Sequence, residues 1–163
     1  MNTLKITDSE DFSTIERLAR SIWQDHYVSM IGQAQVDYML EKFYRIDALN
    51  AQHQEGQAFW LIEIEGEPCG YIGISEKEKG AFFLHKFYLN TNLQGKGFGK
   101  KIFDLLLSQY PGAESIRLQV NINNFKSINF YFKLGFTIEK RFILNIGNGY
   151  IMDDYIMLWK NKI

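Results

Sequence analysis

The chain has 163 residues, a formal net charge of −1, 46% hydrophobic and 15% aromatic residues. That length fits one domain with one core, and the charge balance gives no basic excess of the kind that phosphate neutralisation requires, so a nucleic-acid binder is not expected. Cys69 is the only cysteine and His26, His53 and His85 are scattered, so neither a disulfide nor a metal site is expected. No apolar run reaches membrane-spanning length and none of signal-peptide type opens the chain, which predicts a cytoplasmic protein with no membrane partner.

In chain order, Leu4 and Ile6 alternate with polar residues, as in a short strand. Asp8 is a plausible N-cap, with Asp11 in an acid-rich first turn. Phe12, Ile15, Leu18, Ala19 and Ile22 then fall at helical spacing. A second helical stripe carries Val36, Met39, Leu40 and Phe43 and ends without a clear signal near Leu49. From Ala58 the period shortens. Residues 59–64, 69–74 and 81–89 read as three strands, separated by turns at 65–68 and 76–80. A helix carries Ile102, Phe103, Leu105 and Leu106, and Ile116, Leu118 and Val120 mark a further strand. A helix over about 124–134 is closed by Gly135, and two last strands meet at Gly147-Asn148-Gly149. The order predicts an α/β fold with about four helices and a mixed sheet. An antiparallel meander comes first, and the helical crossover then requires a parallel pair.

Between the third meander strand and the next helix stands Leu93-Gln94-Gly95-Lys96-Gly97-Phe98-Gly99-Lys100. Glycines let backbone approach an anion, and the unpaired N–H groups of a helix start point at it. Neither the P-loop nor the dinucleotide pattern fits the spacing. Gln94-x-x-Gly97-x-Gly99 resembles the pyrophosphate loop of the GNAT superfamily of N-acetyltransferases. A second segment, Asn124 to Tyr131 with Gly135-Phe136 behind it, resembles that family's N-x-x-A-x-x-x-Y motif, with Ser127 where alanine is commoner. Seven residues at about 100° each return Asn124 and Tyr131 to within roughly 20° of one helix stripe.

The resemblance implies the GNAT fold over residues 1–163 as one domain, and acetyl transfer from acetyl-CoA to an amine. It implies that Gln94, Gly95, Lys96, Gly97, Phe98, Gly99 and Lys100 hold the CoA pyrophosphate. Phe87, Tyr88 and Leu89 would run beside the pantetheine arm, Asn124 would contact it, and Tyr131 would stand near the sulfur as the acid for the departing thiolate. A main-chain N–H near Leu89 would steady the carbonyl oxygen. A homodimer would suit the family.

Amine chemistry adds one demand. An alkylamine is only about one part in 2,500 neutral at pH 7, a cost of roughly 4.6 kcal/mol, so a base or water relay is expected. Some family members place a glutamate where this chain has Gln119, which can orient a water but cannot take a proton. His85, Tyr88, Asp153 and Asp154 remain as alternatives. Trp23, Tyr27, Asp37, Tyr38, Glu41 and Tyr150 are candidates for the acceptor pocket, and Lys126 and Lys133 for the CoA 3′-phosphate. The acid pair Asp153-Asp154 in the last strand tilts the acceptor toward a small cationic amine such as a polyamine. A peptide N-terminus or lysine, or a non-catalytic acyl-CoA sensor, are the rival expectations.

Overall fold

The computed structural model describes residues 3–162. Seven strands are hydrogen-bonded in the order β1-β2-β3-β4-β5-β7-β6, where β1 is Leu4–Asp8, β2 Ala58–Ile64, β3 Glu67–Glu78, β4 Ala81–Leu89, β5 Ser115–Asn121, β6 Thr137–Gly147 and β7 Tyr150–Lys160. The helices among the described residues are α1 Phe12–His26, α2 Val28–Ile31, α3 Gln33–Phe43, α4 Ile46–Gln54, α5 Phe98–Gln109 and α6 Phe125–Leu134. The residues cluster into two compact units, one running to Ser75 and including Lys86–Pro111, the other formed by Glu76–His85 with the chain from Gly112 onward.

In the first unit, β1 and β2 pair antiparallel, as do β2 and β3. Helix α1 packs against α2, α3 and α4, and α5 packs against β1. Apolar residues at helical spacing explain α1: Phe12, Ile15, Leu18, Ala19, Ile22 and Trp23 form its buried stripe. Its cap differs from the sequence reading. Asp8 is held in the β1 ladder opposite Trp60, and the side chain of Asp11 accepts from the Thr14 amide at 3.1 Å instead. Phe59, Ile62, Tyr71, Ile72, Ile102 and Leu106 are at most 0% exposed and centre this unit's core.

The expected second helix divides into α3 and α4, and the turn of α2 precedes it, which brings the helices to six rather than about four. Gly32, at φ +84°, separates the single turn of α2 from α3. Arg45, extended at ψ 152°, separates α3 from α4, and its guanidinium pairs with Glu41 before the break and Asp47 after it. The expected turn at 76–80 is also shorter, because β3 continues to Glu78 and leaves the positive φ to Gly80.

In the second unit, β4 and β5 pair in parallel from Ala81↔Ser115 to Leu84↔Leu118, and there the ladder ends. β5 alternates inward Ile116, Leu118 and Val120 with half-buried residues, the period of a covered strand. It pairs antiparallel with β7, which pairs with β6 through the expected hairpin; Gly147, Asn148 and Gly149 all have positive φ there. Gly135 closes α6 at φ +103°, as its position predicts.

Candidate active site

In the first unit the end of β4 is fixed by close backbone approach. A Cβ on Gly70 of β3 would lie 2.3 Å from the Tyr88 carbonyl oxygen, so only glycine lets the strands meet there. The Asn90 amide donates to the Cys69 carbonyl at 2.8 Å, and the Gln94 carboxamide donates back to the Leu89 carbonyl at 3.1 Å. Gln94 therefore ties the glycine-rich turn to the strand before it. Gly95 and Gly97 stand at φ +75° and +83°, and added Cβ atoms would meet nothing within 4 Å. Their glycines serve conformation rather than room.

Gly97 is the N-cap of α5, with no side chain closing the first turn. The positive end of the helix and its first N–H groups are thus presented without an internal acceptor, an arrangement that suits a phosphate oxygen. Lys96, Phe98 and Lys101 also line an open cleft of about 690 Å³ beside this turn, whereas Lys100 is paired with Asp104. The residues present fit a pyrophosphate.

Behind the strand lies an aromatic cluster. The Trp23 indole donates to the Tyr71 hydroxyl at 3.2 Å, Tyr71 donates to Tyr44 at 3.0 Å, and the Tyr27 and Tyr88 hydroxyls are 3.2 Å apart. The Tyr71 and Tyr88 rings are 5.3 Å centre to centre. Burial drives the Tyr44 and Tyr71 phenols well above 10, so both remain protonated donors. Of the expected acceptor residues, Trp23 and Tyr27 belong to this cluster. Asp37 and Glu41 are occupied on their own helix surface, by Gln33 at 2.8 Å and Arg45 at 2.7 Å.

Sequence reasoning missed Lys86. Its side chain is buried, and its ammonium donates to the Gln52 and Gln57 carboxamide oxygens, each at 2.6 Å, above the Phe59 ring at 5.1 Å. Burial pulls it down to about 7. Gly73 was the available signal. A Cβ there would sit 2.2 Å from the Gln57 oxygen, and a glycine inside a strand marks such an approach.

In the second unit, Asn124 is 2% exposed and caps α6, its side-chain oxygen accepting from the Ser127 amide at 3.3 Å. Tyr131, half-buried, lies between the Phe130 and Phe136 rings, 5.4 and 5.5 Å away. Lys126 and Lys133 are exposed on the same helix. His85 packs on the Phe83 ring at 4.8 Å.

The acid pair divides. Asp153 receives both arms of Arg141, at 2.8 and 2.6 Å, and this ion pair holds its carboxyl below the usual range. Asp154 is 4% exposed and takes no hydrogen bond or ion pair on its carboxyl from any described residue. Burial, reinforced by the Asp153 charge, pushes it up to about 6.

The family model of the GNAT acetyltransferases matches residues 15–136, a span that takes in the glycine-rich turn, Asn124 and Tyr131. The chain is 27% identical over 133 residues to the uncharacterized N-acetyltransferase YjgM of Escherichia coli K12, covering 78% of this chain and 77% of that protein. Among solved structures, the PaiA N-acetyltransferase of Thermoplasma acidophilum in complex with coenzyme A superposes with a TM-score of 0.79 at 21% identity, over 98% of this chain and 99% of that one. The ribosomal-protein-S18-alanine N-acetyltransferase of Escherichia coli gives 0.72 at 14% identity, over 100% and 96%. With the turn and the strand order already in place, the chain belongs to the GNAT family of acetyltransferases, and acetyl-CoA is its co-substrate.

Proposed function

We propose that the chain, residues 1–163 working as one domain, acetylates the primary amine of a small cationic acceptor such as a polyamine. The observation that carries the acceptor class is Asp154, a buried carboxyl with no cation of its own. Such a group costs free energy unless something positive neutralises it, and an ammonium ligand would do so.

Acetyl-CoA, when bound, supplies the activated acetyl thioester. The main-chain N–H groups from Gln94 to Lys100 bind the pyrophosphate at the start of α5, and Phe87, Tyr88 and Leu89 guide the arm along the end of β4. Asn124 contacts the arm from the cap of α6. The Tyr131 phenol donates its proton to the thiolate sulfur.

The test is free-thiol release from acetyl-CoA over a panel of diamines, polyamines and peptides with free N-termini. Turnover is expected with the cationic small amines. Tyr131→Phe is expected to lower kcat by about 10- to 100-fold, the scale of one general acid, with little change in KM. Release only with peptides would replace the acceptor class, and CoA binding with no release from any acceptor would leave a sensor in place of an enzyme.

A further inference from the structure

Two polar groups in the second unit lack partners. The Gln119 side-chain nitrogen on β5 is buried with no hydrogen-bond acceptor, and Asp154 on β7 is 4% exposed with no described residue donating to its carboxyl. The register puts them on one face of the same strand pair. Gln119 stands opposite Ile156 and Asn121 opposite Asp154, so Gln119 and Asp154 are diagonal neighbours whose side chains leave the sheet on the same side. Diagonal positions are about 7–8 Å apart at Cα, a span that one water can close between a carboxamide N–H and a carboxylate. Gln119 follows Leu118, where pairing with β4 has stopped, and Asp154 stands on β7 opposite Asn121, the last residue of β5.

Leaving the buried Gln119 N–H unmet costs about 1–3 kcal/mol, which favours a water between it and the Asp154 carboxyl. Asp153 is excluded from this arrangement. It leaves the sheet on the opposite face, where Arg141 holds it.

The remaining neighbours of Asp154 are neutral or distant in effect. Asn121 faces it across β5, Phe142 faces it across β6, and Met152 and Ile156 flank it along β7. Lys140 is its diagonal neighbour on β6, but that side chain is exposed, and the neighbouring charge that raises the Asp154 carboxyl is that of Asp153.

We infer that Asp154 is the terminal proton acceptor for the substrate amine, acting through a water that the Gln119 carboxamide positions. This rests on the amine-acetyltransferase reading. The ammonium gives one proton to the water as the water gives one of its own to the Asp154 carboxylate, and the freed nitrogen lone pair can then bond to the acetyl carbon. As that C–N bond forms, the C–S bond breaks and its electron pair leaves on sulfur, which takes the Tyr131 proton. The second nitrogen proton restores the Tyr131 phenol, and Asp154 returns its proton to solvent. The sum is one acetamide, one free thiol and one released proton. Gln119 and Asp154 together thus divide between two strands the work of a single basic side chain: the amide holds the water and the acid takes the proton.

Two measurements test it. The first is the pH dependence of kcat/KM for wild type and Asp154→Asn with the best acceptor amine. The wild type is expected to gain an ascending limb with an apparent pKa near 6, and the variant to lose it. At about pH 7 the variant is expected to be roughly 10- to 100-fold slower, with the gap closing toward pH 10 as the amine in solution becomes neutral unaided. An equal loss at every pH, or no loss, would overturn the inference. The second is carbon NMR of the aspartate carboxyls in the protein without ligands, where one resonance titrating near 6 is expected to vanish in Asp154→Asn. A resonance assigned to Asp154 that titrates near 4 would overturn the inference whatever the turnover. Wild-type protein that turns over no amine while that resonance titrates near 6 would instead sink the acetyltransferase reading on which the inference stands.

Discussion

Asp153 and Asp154 are adjacent in sequence and chemically identical, yet strand alternation gives them opposite fates. One forms a bidentate ion pair with Arg141, and the other is buried without a partner. Their carboxyls accordingly shift in opposite directions. For Asp154 the sign of the stability effect follows directly. Its carboxyl rises from 3.8 to about 6 on folding, so the folded state holds the proton more tightly. Stability from this group is therefore present below about pH 4 and is lost as pH rises through 6. Above that, the charged form costs up to about 3 kcal/mol. Asp154→Asn, which keeps the shape without the charge, is expected to raise stability by about 1–3 kcal/mol near pH 7.5 and by almost nothing near pH 4. Urea unfolding at the two pH values checks this; an equal effect at both would mean that the carboxyl carries no burial cost. The sequence showed both acids, but no pattern in it distinguished them, because the distinction depends on which strand face the register of β5, β7 and β6 buries. Gln119 was legible as an anomaly for the same motif, while its unpaired nitrogen became visible only with the pairing of its strand.

At the scale of elements, local signals were reliable where one residue type answers one geometric need. Gly135, the 147–149 hairpin and the Asn124 cap stand where their chemistry predicts. Signals failed where two elements competed for a residue. Asp8 has an N-cap side chain, but its backbone belongs to the β1 ladder, and Asp11 caps α1 instead. The break between α3 and α4 had no glycine or proline to announce it; Arg45 makes it, with carboxylates on either side. The glycine-rich turn was read from its glycines and their resemblance to the GNAT pyrophosphate loop, and two of those glycines stand at positive φ. At Gly97 the open space would accept a methyl group, but φ +83° would not. Gly97→Ala is expected to strain the turn by about 1–2 kcal/mol and to weaken CoA binding by roughly 5- to 30-fold, with the fold intact. Calorimetric titration of CoA measures this directly. Unchanged affinity would place the pyrophosphate away from the α5 start.

At the scale of the whole molecule, the helical crossover between β4 and β5 required a parallel pair, and the sheet contains it among antiparallel neighbours. The edge position of β6 and the β5-β7-β6 order were not legible, because a hairpin fixes its own pairing but not the strand it joins. Burial of Lys86 was likewise invisible, since the acceptors that satisfy it come from α4 and from the residue before β2. Family membership was readable because its two motifs are short and continuous in sequence. The acceptor was not, because acceptor recognition draws on side chains from separated elements.

The account's central claim is acetyl transfer from acetyl-CoA to a small cationic amine. Its most direct test is a competition: acetyl-CoA is supplied with a polyamine and a peptide bearing a free N-terminus at equal concentration, and the products are identified by mass spectrometry. The polyamine is expected to gain one acetyl group while the peptide stays unmodified, with free CoA released in equal amount. Acetylated peptide beside untouched polyamine would contradict it.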